Sequence, residues 1–213
     1  MSRPRLLIAD DHTLVVEGFR KLLEPNFELA GVAEDGRAMV SLALKIRPDV
    51  VLADISMPLL NGIEAARQIH RAEPGIKIVF VTMHSDPAYV AAALDAGASG
   101  YLMKRSAASE LAVALKEVLA GRTFITALIP SEKVDALLRA SRTGRSFDRS
   151  LTSRQREVLQ LVAEGRSTKE IAGILNISNK TVEFHKAGLM ERLGLRTTAE
   201  LTRYALENGI VGG

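Results

Sequence analysis

Two hydrophobic periods alternate through the first 120 residues, and this alternation narrows the possible folds more than any other feature. Short apolar runs of strand length recur at 6–9, 29–32, 50–53, 76–81 and 100–103. Amphipathic stretches of helix length lie between and after them, at 13–23, 37–46, 62–71, 87–96 and 107–120. The short runs are apolar on both parities, which is typical of strands covered on both faces. Five such units predict an α/β fold with a doubly wound, five-stranded parallel sheet.

The hydrophobic pattern changes after residue 121. From residue 151 only helical periodicity is present, and Thr152 followed by Gln155 has the spacing of a capping box. Gly165 ends this first helix, and three further helical stretches follow at 168–175, 178–193 and 198–207. Helices joined by turns this short predict an all-α four-helix domain that contains a helix-turn-helix.

The stretch between these two patterns is predicted to connect two domains. Residues 130–140 have the pattern of a short helix, with Pro130 suited to its first turn. Residues 141–150, SRTGRSFDRS, are polar and basic and have little to bury. We therefore predict a first domain at 1–121, a linker at 122–150 and a second domain at 151–213.

Composition excludes several classes of site and predicts a cytoplasmic location. The chain has no cysteine, which excludes disulfides, thiolate zinc sites and iron–sulfur clusters and is typical of a reducing compartment. The sequence lacks any run close to the ~18 apolar residues that a membrane span requires. The start, MSRPRLLIADD, reaches acidic residues too early for a secretory signal.

The net charge of +3 is unevenly distributed. Residues 1–120 carry 13 basic and 15 acidic side chains, residues 121–150 carry 6 and 3, and residues 151–213 carry 9 and 7. The excess positive charge therefore lies in the last 93 residues. This favours a nucleic-acid partner for that part of the chain, although an ordinary solvated surface would give nearly the same balance.

Polar residues follow four of the predicted strands. Asp10 and Asp11 follow the first, Asp54 the third, Thr82 the fourth and Lys104 the fifth. The carboxyl ends of parallel strands meet at one edge of the sheet, so these side chains are expected to converge. Carboxylates held close together repel one another, and Mg²⁺ would compensate that charge. A carboxylate beside Mg²⁺ and an ammonium group can attack phosphorus, which predicts an aspartyl phosphate.

Four motifs in this region, LLIADDH, VVLADISMPLLNG, VFVTMH and GASGYLMKR, resemble the receiver domain of two-component response regulators. The resemblance covers residues 4–120 without a break. It implies a flavodoxin-like fold in which Asp54 accepts a phosphoryl group from a sensor histidine kinase. It also implies that Asp11 ligates Mg²⁺ directly, that Asp10 acts largely through water, and that the main-chain carbonyl of Ser56 is a further ligand.

The same resemblance assigns the groups around the phosphate. Lys104 would pair with a phosphoryl oxygen, and Thr82 and Tyr101 match the switch pair of a hydroxyl and an inward-turning aromatic. His84 lies where the family tunes water access to the phosphate; an exposed loop histidine is the alternative. The family commonly has proline after the lysine, with a cis bond before it, whereas Arg105 stands here, which leaves the geometry of that peptide open.

The last part of the chain, LTSRQREVLQLVAEGRSTKEIAGILNISNKTVEFHKAGLMERLGLRTTAEL, resembles the LuxR-type domain of NarL/FixJ-class response regulators. In a helix-turn-helix the second helix, here 178–193, enters the major groove of DNA. Val182, Leu189 and Leu193 predict the face that packs on the bundle. The opposite face then carries Lys180, Glu183, Phe184 and Ala187. The full set of residues predicted to contact DNA is Lys169, Lys180, Thr181, Glu183, Phe184, Lys186 and Ala187.

These residues divide by the contacts they are expected to make. Phe184 could contact a thymine methyl or pack against a neighbouring helix, and Glu183 could accept from cytosine N4. The basic and hydroxyl residues at 169, 180, 181 and 186 are placed for phosphates. By resemblance, helix 198–207 supplies dimer contacts, so we expect phosphorylation to favour a homodimer on an inverted repeat.

The sequence therefore predicts a DNA-binding transcriptional response regulator rather than an enzyme, switched by phosphorylation of Asp54. One alternative is a DNA-binding regulator whose first domain serves only protein contacts. The other is a phosphohydrolase with an aspartyl nucleophile. Such an enzyme places a second Asp two residues after the first, and Ser56 stands there.

Overall fold

The computed structural model describes residues 3–142 and 151–211. Within these residues six strands form one sheet: β1 Arg5–Ala9, β2 Glu28–Ala33, β3 Val50–Ala53, β4 Lys77–Thr82, β5 Gly100–Met103 and β6 Phe124–Ile125. The helices of this part are α1 Thr13–Leu23, α2 Gly36–Ile46, α3 Gly62–Ala72, α4 Pro87–Asp95, α5 Ala107–Leu119 and α6 Ser131–Arg142. The strand order is β2-β1-β3-β4-β5-β6 and every pairing is parallel. The predicted parallel α/β fold is confirmed.

Helices cover both faces of this sheet. Val51 and Ile78 face one side, where they pack with residues of α2, α3 and α4. Val50 and Val79 face the other side, where they pack with residues of α1 and α5. The strand order reverses direction between β1 and β3, and ligands of open α/β sheets bind at the carboxyl ends of strands at such a point.

The predicted count of five strands is wrong, because a sixth strand extends the sheet. Tyr101 of β5 pairs with Ile125, and the N–H of Thr126 donates to the carbonyl of Tyr101 at 2.9 Å. Only two residues long and half-buried, β6 lacks the apolar run that identifies the other strands. The region predicted as a linker thus begins inside the sheet.

The predicted helix near residue 130 is confirmed as α6, which packs against α4. Ile129 and Val134 are buried in the core cluster that includes α4, so this part of the predicted linker also belongs to the first domain's core. Residues 143–150 of the predicted linker lie outside the described residues.

The second domain is entirely helical in its described part, as predicted. Its helices are α7 Ser153–Ala163, α8 Thr168–Leu175, α9 Asn179–Leu193 and α10 Thr198–Glu207. Thr152 and Gln155 form the predicted capping box of α7. The core contains Leu161, Val182 and Leu201. None of the helices in the two described segments is long and apolar enough to cross a membrane.

Candidate functional site

The acidic side chains predicted to converge do so at the carboxyl ends of β1 and β3. These strands are neighbours, and the N–H of Asp54 donates to the carbonyl of Ala9 at 2.9 Å. Oxygen or nitrogen atoms of Asp10, Asp11, His12 and Asp54 lie within 4.8 Å of one another. Asp10 and Asp54 are buried, whereas Asp11 is exposed. Three carboxylates in this arrangement suit a hard cation such as Mg²⁺.

Lys104 joins the two buried carboxylates. Its Nζ lies 2.8 Å from Oδ2 of Asp10 and 2.7 Å from Oδ2 of Asp54. Burial would lower the pKa of the ammonium group, but its hydrogen bonds to Asp10 and Asp54 outweigh that effect and raise the pKa. Lys104 therefore stays charged at neutral pH. It begins a short 3₁₀ turn, Lys104–Ser106, and the peptide to Arg105 is trans.

The loop between β3 and α3, residues 54–61, packs closely around Asp54. A Cβ added to Gly62 would lie 2.1 Å from the carbonyl oxygen of Asp54, so glycine is required at the start of α3. The N–H of Ile55 donates to Oδ1 of Asp54. Ser56 directs its hydroxyl to Nε2 of His84 at 2.8 Å. The loop thus supplies a backbone donor to the carboxylate and links to the segment after β4 through Ser56 and His84.

His84 is half-buried rather than an exposed loop residue. Its ring stacks on Tyr89 at a centroid distance of 4.1 Å. Burial lowers its pKa, and the charge of Asp54 opposes that shift only in part. The imidazole is therefore mainly neutral at neutral pH, beside Ser56.

The two proposed switch residues are both buried in the sheet. The Thr82 hydroxyl accepts a long hydrogen bond, 3.4 Å, from the N–H of His84. The Tyr101 hydroxyl donates to the carbonyl of His84 at 2.9 Å, so the aromatic ring already points inward. Burial raises the pKa of Tyr101, which keeps the phenol neutral. Both side chains thus meet the same segment, at His84.

The helix predicted to contact DNA is α9, and its inner face is the predicted one. Val182 and Leu189 are fully buried, and Leu193 packs against the same core. Phe184 is 75% exposed and has an edge contact with its neighbour His185. A large apolar ring is therefore presented to solvent on the side away from the bundle.

Two of the other predicted DNA contacts have hydrogen bonds within the domain. The Glu183 carboxylate accepts from the Thr168 hydroxyl at 2.6 Å, which ties α9 to α8. The Thr181 hydroxyl lies 2.8 Å from that of Ser178, the residue that caps α9. The remaining predicted side chains are exposed or half-exposed: Lys169, Lys180, Lys186 and Ala187.

A set of polar residues on α7 docks the second domain on the first, and sequence reasoning missed it. Oε1 of Gln160 accepts from the N–H of Asn61 at 2.7 Å, and its Nε2 donates to the carbonyl of Met57 at 2.9 Å. Gln160 and its neighbours form a run of six consecutive buried residues, 157–162. An amphipathic helix on the surface of a domain would expose some of these six residues. All six are buried because the first domain covers the outer side of α7.

Charged pairs complete this interface. Arg37 of α2 reaches Oε2 of Glu157 at 2.8 Å, and Arg156 reaches Oε2 of Glu64 at 3.0 Å. Burial would raise the pKa of Glu64, but hydrogen bonds from Ser153 and Arg156 and the nearby guanidinium charges hold it below its usual value. Glu64 is therefore ionised at neutral pH.

A second contact joins the domains at α4. Gly209, just after α10, has φ of +61°, and a Cβ there would lie 1.3 Å from the Tyr89 hydroxyl oxygen. Tyr89 is the residue that stacks on His84. The second domain thus touches the first at two places, the β3–α3 loop and α4.

Comparisons with known proteins agree with both domains. Residues 6–116 match the model of the response regulator receiver domain, and residues 149–205 match that of bacterial regulatory proteins of the luxR family. The transcriptional regulatory protein MctR of Rhizobium johnstonii is 38% identical over 209 residues, covering 97% of this chain and 95% of MctR.

Solved structures of similar proteins cover the whole chain. A structure of the response regulator RcsB of Salmonella typhimurium has a TM-score of 0.65 at 31% identity, with complete coverage of both chains. RcsB bound to a promoter in the presence of phosphomimetic BeF₃⁻ has a TM-score of 0.63 at 32% identity, covering 97% of this chain and 100% of that one. The chain belongs to the NarL/FixJ-class response regulators, which join a receiver domain to a LuxR-type DNA-binding domain.

Proposed function

We propose that this response regulator is switched by phosphorylation of Asp54 and that its phosphoryl donor is a sensor histidine kinase. The observation that carries the proposal is the contact of Lys104 with both Asp10 and Asp54, at 2.8 and 2.7 Å, inside a cluster of carboxylates. An ammonium group held against the acceptor can neutralise charge on the group being transferred.

The donor atoms at this site fit Mg²⁺. Asp10, Asp11 and Asp54 offer carboxylate oxygens within 4.8 Å of one another, and the Ser56 main-chain carbonyl belongs to the adjoining loop. Bound Mg²⁺ would neutralise the carboxylates and the phosphoryl oxygens. A carboxylate oxygen of Asp54 attacks phosphorus, the new O–P bond forms as the N–P bond of the donor histidine breaks, and Lys104 pairs with a phosphoryl oxygen. No turnover of an external substrate is proposed, only slow loss of the phosphoryl group to water.

Thr82 and Tyr101 are proposed to transmit the effect of phosphorylation away from Asp54. The phosphoryl group brings strong acceptor oxygens close to the carboxyl end of β4, where the Thr82 hydroxyl is bonded only weakly. A shift of that hydroxyl toward the phosphate would release the N–H of His84, whose carbonyl holds Tyr101. Movement of this segment reaches α4 through the stacked pair of His84 and Tyr89.

The second domain is proposed to read DNA in the major groove through α9, in the cytoplasm. Phe184 and Glu183 lie on its exposed face, where they would discriminate bases, with Thr181 and the lysines at 169, 180 and 186 on phosphates. One module of this size has a small footprint, so two copies on an inverted repeat are proposed.

The phosphorylation proposal is tested with Mg²⁺ and a small acyl phosphate. Mass spectrometry of the full chain should show one added phosphoryl group that is labile in alkali, mapped to Asp54. The conservative Asp54→Asn variant should gain none, and chelation of Mg²⁺ should prevent labelling of the wild type. If the Asp54→Asn variant still gains a phosphoryl group, another residue is the acceptor and the proposal is wrong.

A further inference from the structure

The loop that carries Asp54 and Ser56 is held from outside by a side chain of the DNA-binding domain. Gln160 is 1% exposed and uses both ends of its amide on this loop. Oε1 accepts from Asn61 N–H, and Nε2 donates to Met57 C=O and also to Glu164 Oε1 at 2.8 Å. One side chain therefore bridges two backbone positions, 57 and 61, that lie four residues apart at the exit of the acceptor strand.

The middle of the same loop has a backbone conformation that the other domain supports. Leu59 has φ of +65°, in the left-handed region that non-glycine residues rarely adopt. Its N–H donates to Oε1 of Glu164 at 3.0 Å, and its side chain packs against the hydrophobic core of the second domain. Such conformations persist where the surroundings over-determine them, and here the surroundings are the second domain.

We propose that Gln160 is a positioning residue for the Mg²⁺ site, so that the DNA-binding domain completes the phosphorylation site of the receiver. The inference rests on the function proposed above. Met57 shares a peptide bond with Ser56, whose carbonyl is the proposed main-chain ligand. Gln160 holds the carbonyl of Met57, which belongs to the next peptide unit along the chain. A fixed Met57 restricts how far the neighbouring Ser56–Met57 peptide can turn before the ion arrives, and a pre-ordered ligand loses less conformational freedom on binding.

The coupling acts in both directions. If docking of α7 strengthens Mg²⁺ binding, Mg²⁺ must strengthen docking by the same factor, because the two equilibria are linked. The affinity of the receiver for its ion thus depends on whether the DNA-binding domain is docked.

The test is calorimetric titration of Mg²⁺ alone into the full-length chain. Two variants remove the bridge: Gln160→Ala, and Gln160→Met, which keeps the length of the side chain. Each should raise the Kd for Mg²⁺ roughly three- to tenfold. This is less than the roughly 10–100-fold loss that is typical when a group bonded directly to a metal ligand is removed. The matched control is Gln68→Ala. Gln68 lies in the same interface but donates to Glu157 rather than to the loop, so this variant should stay within about twofold of wild type.

The outcomes separate this inference from the proposed function. Wild-type affinity in both Gln160 variants would overturn the positioning role, and so would an equal loss in Gln68→Ala, which would assign the effect to docking in general. Failure of the wild-type chain to bind Mg²⁺ would overturn the proposed site together with this inference. Thermal unfolding followed by circular dichroism identifies a variant that fails to fold. If one Gln160 variant fails, the Kd for Mg²⁺ of the other tests the positioning role.

Discussion

Lys104 determines the electrostatics of the acceptor site. Its ammonium group is the partner of two carboxylates that are 3% and 5% exposed. Lys104→Met keeps the volume and removes the charge, which leaves Asp10 and Asp54 to repel each other and removes a group that stabilises the transferring phosphoryl. We expect phosphorylation by an acyl phosphate to slow on the order of 100-fold, as when one charge-stabilising donor is lost. Lys116→Met, at an exposed position on α5, is the control; a wild-type rate in Lys104→Met would contradict the assigned role.

Thr82 is expected to transmit the phosphoryl signal rather than to receive it. Its hydroxyl accepts a hydrogen bond of 3.4 Å from the N–H of His84, so loss of the hydroxyl should leave transfer of the phosphoryl group to Asp54 intact. Thr82→Ala should therefore be phosphorylated at close to the wild-type rate, while DNA binding responds weakly to phosphorylation. The rate of phosphorylation and the change in DNA affinity on phosphorylation are measured on the same preparation of the variant. A full DNA-binding response in Thr82→Ala would remove this residue from the switch.

At the scale of elements, we expect α9 to carry both residues that position the domain on the DNA backbone and residues that recognise bases. Lys186 lies on its flank and Phe184 on its exposed face. Lys186→Ala should weaken binding to all sequences alike and lower the salt dependence of log K by about one unit. Phe184→Ala should instead change which base is preferred, with about 1–3 kcal/mol of discrimination lost. Competition binding over a randomised half-site at two salt concentrations measures both effects, and an unchanged preference in Phe184→Ala would place that ring away from the bases.

The interface between α7 and the receiver is expected to open in acid. The pKa of Glu64 is lowered below its usual value of 4.5 in the docked structure, so its contribution to docking is complete above about pH 4.5. That contribution is lost as the pH falls below 4.5 and through the lowered pKa, because protonation removes the charge that Arg156 contacts. Small-angle X-ray scattering between pH 7 and pH 3.5 should show an increase in the radius of gyration before circular dichroism detects unfolding. Simultaneous changes in both signals would contradict this.

The elements that sequence predicted well are those whose pattern is local. The five long strands and the helices follow from runs of Val, Ile and Leu and from caps such as Thr152, and the acidic site follows from which residues end the strands. The sixth strand could not be predicted in this way, because two residues, Phe124 and Ile125, are too few to show a strand pattern. They form a strand because they pair with the edge of β5. The contacts of Gln160 depend on how the two domains pack together. The hydrophobic pattern of α7 does not indicate that Gln160 binds the backbone at Met57 and Asn61.

For the whole molecule, the docked arrangement leaves exposed the face of α9 that is proposed to contact DNA. Phe184, Glu183 and Lys180 are exposed while α7 lies on the receiver. The receiver does not cover this face, so we expect phosphorylation to act on something other than access to it. We expect control to act on the assembly of two chains on DNA, so that the response depends on whether the DNA carries one half-site or two.

Binding of the full-length chain to DNA with one half-site and with an inverted repeat, before and after phosphorylation, measures this directly. Fluorescence anisotropy should show that phosphorylation strengthens binding to the inverted repeat by at least about tenfold, equivalent to ~1.4 kcal/mol, and leaves binding to the single half-site nearly unchanged. The Asp54→Asn variant should show no gain on either DNA. An equal gain on both DNAs would mean that phosphorylation unmasks the recognition helix, and a gain that persists in Asp54→Asn would contradict control through this carboxylate.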